Sequence, residues 1–75
     1  MVKSVDTVLT NYKENEKTLD FDGIDINDEN AAKIAEFIKS NPAIVELFMI
    51  GCKLDDQTFK VIGDAVAASG RNFEW

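Results

Sequence analysis

LDFDGIDINDENAAKIAEFI, Leu19 to Ile38, is answered further along the chain by LFMIGCKLDDQTFKVIGDAV, Leu47 to Val66. Leu19, Phe21, Gly23, Ile24, Ile26, Asp28 and Ile34 fall on Leu47, Met49, Gly51, Cys52, Leu54, Asp56 and Ile62, a constant step of 28 residues. Each copy starts with alternating residues, turns at a glycine, and continues with apolar residues at helical spacing. A strand, turn and helix unit of this length cannot bury its own apolar face, so a fixed period of this size predicts stacked copies in a solenoid.

Working outward, the first copy predicts a strand over Thr18 to Asp22, with Leu19 and Phe21 on one side and Asp20 and Asp22 on the other. Asn27 or Asp28 caps the helix that follows, and Asp28 and Glu29 place negative charge at the positive end of its dipole. Ala31, Ile34, Ala35, Phe37 and Ile38 form its apolar stripe, and Asn41 with Pro42 ends it. The second copy predicts a strand over Glu46 to Ile50 and a turn at Gly51. Its helix is capped by Asp55 or Asp56 and runs to about Ala68, with Phe59, Ile62, Gly63 and Val66 inward and Gly70 as the stop. Ahead of both copies, Ser4 caps a helix over Val5 to Glu14 whose Val5, Val8, Leu9 and Tyr12 share one face. A step of 29 residues places Ile34, Phe37 and Ile38 on Val5, Val8 and Leu9, and Ile44 on Phe73. The first helix then reads as the remnant of an earlier repeat serving as a cap.

Composition bounds the function. The chain has 75 residues, so it forms one domain, and a domain this small buries only about 60 to 65% of the surface its unfolded form exposes. With 45% apolar and 29% charged residues it has the make-up of a folded globular domain. A net charge of −6 argues against nucleic acid and anionic membranes, which recruit Lys and Arg, and favours a basic partner. One cysteine allows no internal disulfide, and the N-terminus has no secretory pattern, which together point to a reducing, cytoplasmic setting. The chain has no histidine. Ser-His and Cys-His nucleophile pairs, histidine-ligated zinc and a histidine general base are therefore excluded, and Cys52 alone cannot build a thiolate cluster. Without a convergent acid, base and nucleophile set, no enzyme and no cofactor is expected.

The segment IVELFMIGCKL, Ile44 to Leu54, resembles the leucine-rich repeat pattern L-x-x-L-x-L-x-x-N/C-x-L, with Ile44, Leu47, Met49, Cys52 and Leu54 in its five consensus places. The phrase AAKIAEFIKSNPAIVEL, Ala31 to Leu47, is similar to the helix-to-strand connection of the long intracellular type, that of ribonuclease inhibitor and tropomodulin, whose repeats alternate between about 28 and 29 residues. Ile24 departs from the pattern where Asn or Cys stands, and Glu16 where a leucine does. The resemblance implies an α/β leucine-rich-repeat solenoid fragment. It would hold a short parallel sheet of two or three strands, helices on the convex side and an N-terminal capping helix. The divisions are 1–17 for the cap, 18–45 for the first repeat and 46–75 for the second. Since about three repeats are needed for stability, the chain is a fragment, a capped minimal unit or half of an oligomer.

In such a repeat the strand residues between the buried ones line the concave face, here Asp20, Asp22, Phe48 and Ile50. Leu47 to Ile50 is apolar on both faces, which for a strand implies cover on both sides. The expected function is non-catalytic binding of a protein partner through Phe48 and Ile50, with Asp20 and Asp22 as a polar rim. The alternatives are self-assembly with a second copy of the chain, and internal cover by Trp75, Tyr12 or the first helix. A calcium reading competes for the carboxylates. Thr18 to Glu29 resembles an EF-hand loop with Gly23 at the turn, Asp20 and Asp22 as oxygen donors, Ile24 giving a carbonyl and Glu29 closing it. The matching stretch of the second copy carries Glu46, Phe48 and Ile50 in ligand places, which breaks the pattern. Cys52 reads as a small polar cap of its turn, Asp55 and Asp56 as helix capping, and Trp75, which falls on Leu47, as the start of a third strand.

Overall fold

The computed structural model describes residues 4–75 and contains three helices and one parallel sheet. In chain order these are α1 (Val5–Asn11), β1 (Thr18–Asp20), α2 (Asp28–Ser40), β2 (Glu46–Phe48) and α3 (Asp56–Ala68). The class is mixed α/β. β1 and β2 are parallel neighbours in the register Thr18↔Glu46, Leu19↔Leu47 and Asp20↔Phe48. The isolated bridges Asp25↔Lys53 and Glu46↔Glu74 keep the same step of 28 residues. One offset thus governs every strand pairing among the described residues, as the sequence repeat requires.

Local chemistry repeats with it. Ser4 Oγ accepts from Thr7 N–H, Asn27 Oδ1 from Asn30 N–H, and Asp55 Oδ1 from Thr58 N–H, so each helix opens on a side-chain cap. Gly23 and Gly51 follow the strands at φ +76° and +72°, the left-handed region that costs other residues about 1–2 kcal/mol. α2 ends at Asn41, whose Nδ2 donates back to Phe37 O at 2.9 Å.

Leu19, Phe21, Ile24, Ile26, Ala31, Ile34, Ile38, Ile44, Leu47, Ile62 and Val66 share one core with Val5. Leu19 and Leu47 sit side by side in it, the equivalence the repeat demands. α1 covers the α2 side of this core. Its Tyr12 ring meets Phe37 edge-on at 5.2 Å, and Asp6 pairs with Lys33 at 3.0 Å. The N-termini of α2 and α3 are tied where the buried Thr58 hydroxyl donates to Asp28 Oδ1 at 2.7 Å.

Four expectations need correction. α1 stops at Asn11, because Asn11 to Lys17 carries too few apolar residues to reward further burial. The strands are three residues long instead of five, although backbone bonds continue from Phe21 N–H to Phe48 O and from Gly23 N–H to Ile50 O. Phe59, placed inward by its stripe, is 49% exposed. It occupies the position of Ala31, which is fully buried between packed helices, and no described helix packs on the corresponding side of α3. Tyr12 and α1 lie over Phe37 and do not cover Phe48 or Ile50.

Candidate functional site

Leu47, Phe48, Met49 and Ile50 form the floor and one side of an open groove of about 700 Å³; Phe59, Glu74 and Trp75 complete it. The groove follows from the pleat. Leu47 and Met49 point toward the core, and the alternate residues Phe48 and Ile50 point out. Opposite them the Trp75 indole lies over the Phe59 ring at 4.9 Å and 15°, a stacked pair. Gly63 permits this approach, since a Cβ there would stand 3.3 Å from the indole.

Phe48, Ile50, Phe59 and Trp75 are 42, 78, 49 and 50% exposed, and no other large hydrophobic side chain among the described residues is as open to solvent. All four line this one groove. Burying a side chain of this kind is worth about 1.5–3 kcal/mol, and contiguous apolar surface of this sort marks interaction sites on soluble domains. Trp75 lies beside Phe48 and Ile50 without covering them. Phe59 and Trp75 escape a reading of strand alternation, because one sits on α3 and the other beyond the last helix. The mismatch at Phe59, aromatic where the first copy has Ala31, is the signal in the sequence that marks them.

Asp20 and Asp22 sit on the outward face of β1 and its extension. Asp20 Oδ1 accepts from Asp22 N–H at 3.0 Å, and Asp22 Oδ1 accepts from Ile50 N–H at 2.7 Å. Asp22 therefore braces the stretch that presents Ile50. Glu46 accepts from the Thr18 hydroxyl at 2.6 Å and stands opposite Glu74 in the bridge.

The EF-hand-like carboxylates do not converge. Asp20 lies on a strand, Asp22 bonds across to the next copy, and Glu29 is in the first turn of α2. Among the described residues no three Asp, Glu or Cys side chains form a set that could hold a metal ion. Asp55 caps α3, and the hydrogen bond from the Thr58 backbone N–H, at 2.7 Å, holds its carboxyl below the usual value. Asp56 follows in the first turn, so the two carboxylates do not face one substrate atom. The Cys52 thiol donates to Phe21 O at 2.9 Å, capping a carbonyl of the preceding turn, and burial pushes its pKa up. Among the described residues no helix is long and apolar enough to cross a membrane. No protein-family model, no curated protein and no solved structure matches this chain.

Proposed function

We propose that this chain is a pair of leucine-rich repeats with a helical cap, and that it acts in the cytoplasm as a non-catalytic module that recognises a protein partner. The common step of 28 residues in strand pairing, the matched turn glycines and the matched helix caps support the repeat assignment. One observation carries the functional reading: all four of the large exposed apolar side chains gather in one groove beside the sheet. Phe48 and Ile50 are its anchors, and Asp20 and Asp22 are the polar rim, of which Asp22 holds the backbone of Ile50 in place. Self-assembly through the same surface is the second reading, favoured by the apolar side chains exposed there, and the charge of −6 per chain weighs against it.

The test compares the wild-type chain with the Phe48→Asp, Ile50→Asp variant by light scattering, circular dichroism and affinity capture. Both side chains are exposed, so the variant is expected to fold and to lose a protein that the wild type retains. An unchanged set of captured proteins, with the same mass as the wild type, refutes the proposal. A wild-type dimer that becomes monomeric in the variant replaces it with self-assembly.

A further inference from the structure

We infer that the Asp22–Gly23 step is a modification site, at which the aspartate converts to isoaspartate, and that the hydrogen-bonded rung joining this turn to Ile50 holds the conversion back while it is made. The inference stands on the turn alone and does not depend on the partner reading. Its first ground is the rung. Phe21 N–H donates to Phe48 O at 2.7 Å and Gly23 N–H to Ile50 O at 2.9 Å, so a regular parallel ladder would bring Ile50 N–H to Phe21 O. That carbonyl is engaged elsewhere, by Ile24 N–H at 3.0 Å and the Cys52 thiol at 2.9 Å. Asp22 Oδ1 takes its place and accepts from Ile50 N–H at 2.7 Å. The Asp22 side chain and the Gly23 N–H thus hold both backbone groups of one residue, Ile50. The second copy has no such device, because Ile50–Gly51 stands where the first has Asp22–Gly23.

The second ground is chemical. Asp22 is the one Asp or Asn of the chain that precedes a glycine. Glycine has no Cβ to shield its nitrogen, and nothing lies within 4 Å of the place a Cβ of Gly23 would take. In an opened turn Gly23 N attacks Cγ of the protonated Asp22 carboxyl. The N–Cγ bond forms, a Cγ–O bond breaks, and the amide proton leaves with the hydroxyl as water. Water then adds to the main-chain carbonyl carbon of Asp22 and breaks its bond to Gly23 N, the hydroxyl staying on carbon and the proton returning to nitrogen. The product has unchanged mass, one more methylene in its main chain and a carboxylate directly on Cα. In the closed turn both reacting groups are occupied, the Gly23 N–H by Ile50 O and the carboxylate by Ile50 N–H. Conversion in turn unmakes the rung, since the added methylene carries Gly23 out of register and the shortened carboxylate draws back from Ile50. Ile50 is the most exposed of the groove's apolar side chains, so the change reaches that surface.

The test ages three samples side by side at mildly acidic pH: the folded chain, the chain in guanidinium chloride, and a blocked peptide spanning Leu19 to Ile26. Isoaspartate is then located by mass-spectrometric peptide mapping against synthetic standards. Product is expected at Asp22 ahead of every other aspartate, at equal rates in the peptide and the unfolded chain and about tenfold or more slower in the folded one. If opening of the rung sets the rate, the ratio of peptide to folded rate should match the hydrogen-exchange protection of the Gly23 amide within about threefold. Ile50→Pro deletes the N–H donor and should raise the folded rate toward that of the peptide, with circular dichroism unchanged. In a chain synthesised with isoaspartate at position 22, the Gly23 and Ile50 amides should exchange about tenfold or more faster than in the parent. A folded chain that isomerises as fast as the peptide, product accumulating first at another aspartate, or a rate ratio that departs from the Gly23 protection overturns the inference. So does an Ile50→Pro chain that folds and keeps the wild-type rate, or an isoaspartyl chain with parental exchange. The rate and exchange comparison needs no variant, so it decides the matter even where the substituted chain fails to fold.

Discussion

Replacing Arg71 with Ala should be among the most damaging single changes outside the apolar core. The guanidinium reaches back to the end of α2, where Nη2 donates to Ile38 O at 2.6 Å and Nη1 donates to Ile44 O at 2.5 Å and Asn41 O at 3.0 Å. It also lies 5.2 Å above the Phe73 ring. Hydrogen bonds to a charged group contribute about 1.5–3 kcal/mol each, and a cation at a helix C-terminus adds about 0.3–1 kcal/mol. The bonds are partly buried, so water will recover part of what the three carbonyls lose, and the expected cost is about 2–4 kcal/mol. Against a whole-domain stability of about 4–11 kcal/mol at this length, that is a large fraction. In urea, followed by circular dichroism, the midpoint should fall by about 2 M or more at a slope near 1 kcal/mol per M. Arg71→Lys should recover less than half, because one ammonium cannot reproduce the planar fork. A loss below about 0.5 kcal/mol for Arg71→Ala, or full recovery by Lys, refutes the clamp.

Three further outcomes follow from the same geometry. Phe21→Ala removes a fully buried ring from the centre of the core and should cost about 3–5 kcal/mol in the same titration, enough to leave the chain partly unfolded without denaturant. Asp55 has a lowered carboxyl pKa, so its contribution is fully present above the unfolded-state value near 3.8 and is lost as pH falls through the folded one. Asp55→Asn keeps a capping oxygen, and its melting temperature should fall less than that of the wild type on acidification from pH 5 to about pH 2; an equal fall contradicts the assignment. The Cys52 thiol, raised in pKa by burial and donating to Phe21 O, should react with a disulfide reagent at pH 8 more slowly than free cysteine and speed up on unfolding, whereas equal rates would place it in solvent.

The groove was half legible in the sequence. Phe48 and Ile50 stand out because apolar residues on both faces of a strand break the alternation that a solvated face requires. Phe59 stands out only by comparison with Ala31 in the first copy, because a helical stripe identifies the apolar side of a helix without saying whether a neighbour covers it. Arg71 has no counterpart in the first copy, where Ala43 holds its place, so comparison of the copies is blind to it. The stacking of Trp75 on Phe59, the brace from Asp22 to Ile50 and the Thr58–Asp28 tie all join residues at least 16 positions apart. No local pattern encodes such pairs.

By itself the sequence determined the repeat, and with it the order of elements, the turn glycines and the pairing of Leu19 with Leu47, and it narrowed the caps of α2 and α3 to two residues each. Those features follow from side-chain periodicity and backbone sterics, which act over a few residues and recur wherever the same residues recur. Only the tertiary structure decided which apolar side chains stay uncovered and which carbonyls Arg71 holds. Burial depends on what lies next to a surface in space, and two copies of one motif have different neighbours at the inner and outer ends of the pair.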